Sequence, residues 1–225
     1  MKITWLGQAG LLFENDGIRI MIDPYFSDSV ERVNPKNYRR VPVLPSVFDI
    51  KPSVMIFTHN HLDHYDPETV ARFVTSESNI IVLSPASVYY EVRKIGGNNN
   101  YVLFNVGTSW TVGNVQFTAV RAEHSDQTPI GVIIDDGDKK YYITGDTLYN
   151  ESIFETLPRD IYAVFLPING VGNNMNPFDA RRFCERIAPQ FAVPIHCGMF
   201  DSIDMSTFGY NKKIIPEIYK EIKFI

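Results

Sequence analysis

The sequence predicts an α/β protein, and three observations carry that prediction. Short apolar runs of strand length recur along the whole chain. Helix-start signals fall between several of them, as in layered α/β architectures. Residues able to do chemistry gather just after apolar runs, at strand ends, instead of inside them.

The elements follow in order. Residues 2–6, 9–14 and 18–22 read as strands, with Asn15-Asp16-Gly17 turning the chain between the last two, because Asp-Gly supplies the positive φ of a tight hairpin. Residues 25–47 carry Tyr25, Pro35, Pro42, Pro45 and a basic cluster, and read as a loop with room for a short helix. A buried strand at 53–57 comes next. Asp66-Pro67-Glu68 starts a helix, with Asp capping and Pro at the first helical position, that runs to about Val74. Residues 80–83 form a strand, and a helix over 85–95 closes at Gly96-Gly97. Strands follow at 101–104, 110–112, 115–121, 130–135 and 140–143, with Asp136-Gly137 between the last two. A short helix near 149–156, a strand at 161–166, a helix at 177–187 beginning at Pro177 and a strand at 191–195 complete the reading. With no linker and no low-complexity stretch, residues 1–225 are expected to form a single domain of two similar βα halves.

Bulk composition narrows the function classes. Hydrophobic residues at 44% and charged residues at 21% are ordinary for a soluble globular chain. No apolar run approaches the roughly 18 residues that span a bilayer, and Met1-Lys2-Ile3-Thr4-Trp5-Leu6-Gly7 reads as a strand, not a signal peptide. A cytoplasmic protein with no membrane partner is expected. The formal net charge of −5 argues against an extended nucleic-acid surface, which draws on Lys and Arg, but leaves room for a small anionic substrate. Cys184 and Cys197 are not at CxxC spacing, and no disulfide is expected.

Thr58-His59-Asn60-His61-Leu62-Asp63-His64 is the densest chemistry in the chain, and it directly follows the apolar run Val54-Met55-Ile56-Phe57. His59 and His61 are two residues apart, so on an extended segment both imidazoles point the same way and can reach one ion. Asp63 and His64, on the turn that follows, can face a second ion. Nitrogen and oxygen ligands of this kind suit zinc, manganese or iron. His124, Asp146 and His196 each follow an apolar strand in the same way. Taken singly they read as a hydrogen-bonded histidine, a turn aspartate and another strand-end histidine. Their shared placement points to one site.

The order HxHxDH, a lone His, a Gly-Asp and a Pro-x-His resembles the motif series of the metallo-β-lactamase superfamily, from Met1 to about Phe200. A narrower resemblance, to the UlaG-type branch related to L-ascorbate-6-phosphate lactonase, rests on three stretches: Thr4-Trp5-Leu6-Gly7-Gln8-Ala9-Gly10, Ile22-Asp23-Pro24, and Pro42-Val43-Leu44-Pro45 leading into the histidine cluster. The resemblance implies an αββα four-layer sandwich. It implies two divalent ions, zinc or manganese with iron also compatible. His59, His61 and His124 would hold the first ion; Asp63, His64 and His196 the second; Asp146 would bridge them, and Asp23 would support the ligands from behind. The implied activity is metal-dependent hydrolysis of a small lactone or (phospho)ester by a hydroxide held between the ions.

All five histidines are then ligands, which leaves Asp63, a tyrosine or water to protonate the leaving group. Arg39 and Arg40, in the basic loop, are expected to bind a substrate phosphate if there is one. Asn169, in Asn169-Gly170-Val171-Gly172-Asn173-Asn174, is expected at the pocket mouth. The competing readings are a phosphodiesterase or nuclease of the same superfamily, and a non-catalytic metal-binding protein on the same scaffold.

Overall fold

The computed structural model describes residues 1–224; Ile225, the last residue of the expected domain, lies outside the described residues. Among the described residues, twelve strands form two six-stranded sheets. The first contains β1 (Lys2–Gly7), β2 (Gly10–Asn15), β3 (Ile18–Ile22), β4 (Val54–Ile56), β5 (Ile81–Ser84) and β6 (Asn100–Leu103), in that spatial order. The second contains β7 (Ser109–Val112), β8 (Val115–Arg121), β9 (Ile130–Asp135), β10 (Lys140–Ile143), β11 (Ile161–Pro167) and β12 (Phe191–Ile195), also neighbour to neighbour. Each sheet begins as an antiparallel meander and ends in parallel strands, from β3 to β6 and from β10 to β12. The two halves of the chain therefore do repeat a theme.

The central strands are buried on both faces, and their alternation shows the layers. Val54 and Ile56 face the core between the sheets while Met55 faces outward. The inter-sheet core brings Phe13, Ile20 and Leu83 against Phe117, Ile134 and Phe165. On the outside of the first sheet, α2 (Pro67–Phe73) and α3 (Ala86–Val92) lay Val70, Phe73, Val88 and Val92 over Met21, Met55 and Val82. On the outside of the second, α4 (Pro177–Ile187) covers Val164 and Leu166 with Ala180, Phe183 and Cys184. The result is the helix–sheet–sheet–helix sandwich that the resemblance implied.

The helix starts are the predicted ones. Asp66 accepts from the backbone N–H groups of Glu68 and Thr69 with Pro67 at the first position, and Asn176 caps α4 in the same way ahead of Pro177. Some predicted helices are shorter or tighter than expected. The 85–95 helix is α3 plus a 3-10 turn at Arg93–Ile95, and the 149–156 helix is a 3-10 turn at Glu151–Glu155. The 25–47 loop contains a short helix, α1 (Ser29–Val33), and leads into a 3-10 turn at Pro45–Asp49. After Phe200 the chain crosses both outer edges of the sandwich, with bridges from Thr4 on β1 to Glu221 and from Ala192 on β12 to Lys213. That cover protects two edge strands from pairing with other chains. Among the described residues, no helix is long and apolar enough to cross a membrane.

Candidate active site

Chain direction assembles the site. β1, β3, β4, β8, β10, β11 and β12 all finish at one end of the sandwich, and just beyond them lie Gln8, Asp23, His59, His124, Asp146, Asn169 and His196. Carboxyl ends of strands are where α/β proteins expose side chains without disturbing the core. The two sheets are laced together there: Ile130 N–H donates to the Thr58 carbonyl at 3.0 Å and His196 N–H to the Gln8 carbonyl at 2.9 Å. Gly145 lies at φ +61, and a Cβ on it would sit 2.7 Å from the Ile130 carbonyl, so only glycine lets β10 deliver Asp146 this close to Thr58.

The seven predicted ligand residues are all in one place. They fall into three overlapping groups whose candidate atoms lie within 4.8 Å of one another: His59, His61 and His124; His59, His64 and Asp146; Asp63, His64 and His196. His124 Nε2 is 3.0 Å from His61 Nδ1, and His64 Nε2 is 3.1 Å from His196 Nε2. Asp146 spans the groups: Oδ1 is 3.3 Å from His64 Nε2, while Oδ2 is 3.2 Å from His196 Nε2 and 3.8 Å from His124 Nε2.

This donor set fits a divalent cation. His59 Nε2 is a buried nitrogen with no hydrogen-bond partner among the described residues, on a side chain shared by two of the three groups. A buried polar atom left bare calls for a specific occupant, and converging imidazoles and carboxylates are a coordination shell for zinc, manganese or iron. The protein's own charges are arranged to match. Burial pushes the His59 and His124 pKa values down, with charge on His64 adding to it, so both stay neutral. Burial opposes charge on His64 and His196 as well, but Asp146 and Asp63 outweigh it; His64 is raised well above its usual range and His196 up to about 10. Asp63 and Asp146 are held well below the usual carboxylate range by His64 and His196, despite burial.

Asp23 lies behind the cluster at φ +42, with Oδ2 accepting from His64 Nδ1 at 2.8 Å. Asp63 accepts from Gln8 Nε2 at 2.8 Å.

Above the cluster is a cavity of about 620 Å³, within the range of small-molecule sites. His61, Asp63, Asp146 and His196 form its floor, and Asn37, Ser125, Asn169, Asn173, Phe200 and Asp201 contribute to its wall. Asn169 is therefore at the pocket, with Nδ2 3.1 Å from His196 Nδ1.

Arg39 and Arg40 require correction, since neither lines this cavity. The Arg39 side chain is only 6% exposed and turned inward. It stacks on the Tyr25 ring and donates to the Tyr25 and Ser27 carbonyls at 2.9 and 2.8 Å, with Asp28 3.3 Å away. Its donors are spent on holding the loop. Arg40 lies over the Tyr38 ring and donates to its hydroxyl at 2.6 Å, on the exposed face. A basic cluster in sequence cannot distinguish a guanidinium aimed at a ligand from one tying down its own loop.

Sequence reasoning gave no role to three further residues. Gln8 is 2% exposed and set between Asp63 and His196. Asn174 donates to Asp146 Oδ2 at 2.8 Å and accepts from Thr147 N–H. Thr58 contacts Asp23, His59 and His64. The only available signal was proximity to a motif.

Comparison with known proteins gives a consistent result. The family model described as the Beta-lactamase superfamily domain matches residues 2–196. The chain is 30% identical over 216 residues to a UPF0173 metal-dependent hydrolase of Exiguobacterium, covering 90% of this chain and 88% of that one. It is 28% identical over 226 residues to a UPF0173 protein of Pyrococcus furiosus, covering 99% and 97%. Among solved structures it resembles Igni18, a metallo hydrolase from Ignicoccus hospitalis, with a TM-score of 0.78, 21% identity and coverage of 98% and 97%, a likeness of fold.

Proposed function

Because the chain belongs to the metallo-β-lactamase superfamily, and within it to the UPF0173 metal-dependent hydrolases, we propose that it hydrolyses a small, uncharged carbonyl compound, a lactone or an ester. The cavity wall carries this reading. It offers carboxamides and a hydroxyl from Asn37, Asn169, Asn173 and Ser125, and among the described residues no lysine or arginine. A phosphorylated substrate normally meets a guanidinium or ammonium, and the two arginines expected to supply one are committed elsewhere.

We assign the seven ligands to two ion positions. His59, His61 and His124 form one, Asp63, His64 and His196 the other, and Asp146 lies between them. Bound ions would polarise the carbonyl oxygen and make water nucleophilic near neutral pH. The protein's part is positioning. Asn169 and Asn173 can donate to substrate oxygens at the mouth, and Phe200 supplies an apolar wall. Gln8 Nε2 ties up Asp63 Oδ2, leaving the other carboxylate oxygen free. No tyrosine lines the cavity among the described residues, so Asp63, ionised at rest, is the side chain best placed to take the proton that the attacking water loses and hand it to the leaving alkoxide.

A phosphodiesterase or nuclease is less well matched, because a wall without cations and a net charge of −5 offer a polyanion little. A purely metal-binding role does not account for a cavity opening onto a complete ligand set. The test is hydrolysis by protein reconstituted with manganese or zinc, comparing an unphosphorylated lactone, its phosphorylated counterpart and a generic phosphodiester. Preference for the unphosphorylated lactone is expected. Preference for the phosphorylated compound would overturn the uncharged-substrate reading, and diester cleavage alone would move the chain to the phosphodiesterase class.

A further inference from the structure

We propose that Thr58 is a positioning residue that extends the hold of one buried carboxylate, Asp23, from His64 across to His59. The inference rests on reading the His/Asp cluster as ion ligands. Asp23 Oδ2 lies 2.8 Å from His64 Nδ1 and 2.5 Å from Thr58 Oγ1, while Oδ1 accepts Thr58 N–H at 2.8 Å. Thr58 Oγ1 is in turn 3.0 Å from His59 Nδ1. Thr58, His59 and His64 are 0% exposed and Asp23 is 1% exposed, so every proton in this chain of contacts needs a protein partner.

The proton assignment follows from donor arithmetic. An ionised carboxylate only accepts, so the single hydroxyl proton of Thr58 goes to Asp23. The hydroxyl oxygen is then left to accept, and His59 must carry its proton on Nδ1. That keeps the lone pair of His59 Nε2 bare, and this is the buried nitrogen without a partner. His64 donates from Nδ1 to the same carboxylate and turns Nε2 toward Asp146 at 3.3 Å. One carboxylate thereby ties back the Nδ1–H of a histidine in each ion position, directly for His64 and through Thr58 for His59. Thr58 itself is held from both sheets, by Asp23 on one side and by Ile130 N–H on its carbonyl at 3.0 Å on the other. Partners of this kind, which orient a ligand without touching the ion, are commonly worth about 10–100-fold in metal affinity.

The test reads the tautomer directly, by long-range ¹H–¹⁵N correlation spectra of the metal-free protein, with Thr58→Val and Thr58→Ser beside it. Wild type and Thr58→Ser are expected to hold His59 as the Nδ1–H tautomer, and Thr58→Val to lose it. In a metal titration, Thr58→Val should bind about 10–100-fold more weakly at the His59, His61 and His124 position, keep the other ion, and be restored by Thr58→Ser. Wild-type His59 protonated on Nε2 overturns the proposal even if Thr58→Val does not fold. An unchanged tautomer and titration in a folded Thr58→Val overturn it too. If His59 is Nδ1–H in a protein that takes up no ion, the relay stands and the metal reading fails; normal ion uptake with the other tautomer has the opposite meaning.

Discussion

Arg39 and Asp63 show how differently two charged residues can be used near one site. Arg39 is spent on its own loop, so Arg39→Ala should lower stability by about 1–3 kcal/mol, the usual cost of stranding buried hydrogen-bond partners. Thermal unfolding would register that loss, while KM for the substrate should not change; a large KM effect with intact stability would return Arg39 to substrate binding. Asp63, by contrast, faces both the ligands and the cavity. Asp63→Asn should lose most activity and part of its metal, which activity and elemental analysis of the same sample would separate. Full metal content with full activity would rule out both roles. That the seven candidate ligand residues converge was legible in the sequence because each lies just beyond an apolar strand, although His124, Asp146 and His196 taken singly had blander readings. The destination of Arg39 was not, because only the folded loop shows the Tyr25 and Ser27 carbonyls that capture it.

At the scale of elements, strand ends and helix caps do the positioning. Asp66 is fully buried and caps α2 through two backbone N–H groups, directly after the cluster. Asp66→Ala should cost about 1–2 kcal/mol, readable as a lower denaturation midpoint, and a change within error would mean that the cap is dispensable. Gly145→Ala meets both a positive φ and the Ile130 carbonyl 2.7 Å from the new Cβ, so it should displace Asp146 and weaken ion binding more than it lowers stability. Most strands could be read from apolar runs and turn residues. The 3-10 turn at Glu151–Glu155 could not be distinguished from a helix, because both place apolar residues three apart over so short a span. The crossing segment after Phe200 lacks a periodic pattern altogether: it is held by isolated bridges and single side chains such as Ile222, which packs into the inter-sheet core.

For the whole molecule, the site couples protons, ions and stability. His64 and His196 have pKa values raised above the ordinary histidine value, His196 to about 10, so the metal-free protein holds protons there at neutral pH that the unfolded chain would not. The stabilisation from those protons is fully present below the unfolded pKa of about 6.5 and is lost as pH rises through the folded values. An incoming ion must displace the same protons. Metal affinity should therefore climb as pH rises, and uptake at neutral pH should release protons. Calorimetry in buffers of different ionisation enthalpy would detect this, and uptake without release would contradict the assignment. The sandwich itself followed from the resemblance; the alternation of strands and helices indicated the class but not the way the sheets face each other.

The most direct test of the account is to strip the protein with a chelator and return manganese or zinc stepwise, following lactone hydrolysis and bound metal together, with Asp146→Asn in parallel. The account predicts no turnover without metal, recovery that tracks occupancy and completes at about two ions per chain, and little of either in Asp146→Asn. Full turnover in the stripped protein, or an Asp146→Asn protein that hydrolyses as well as wild type, would contradict it.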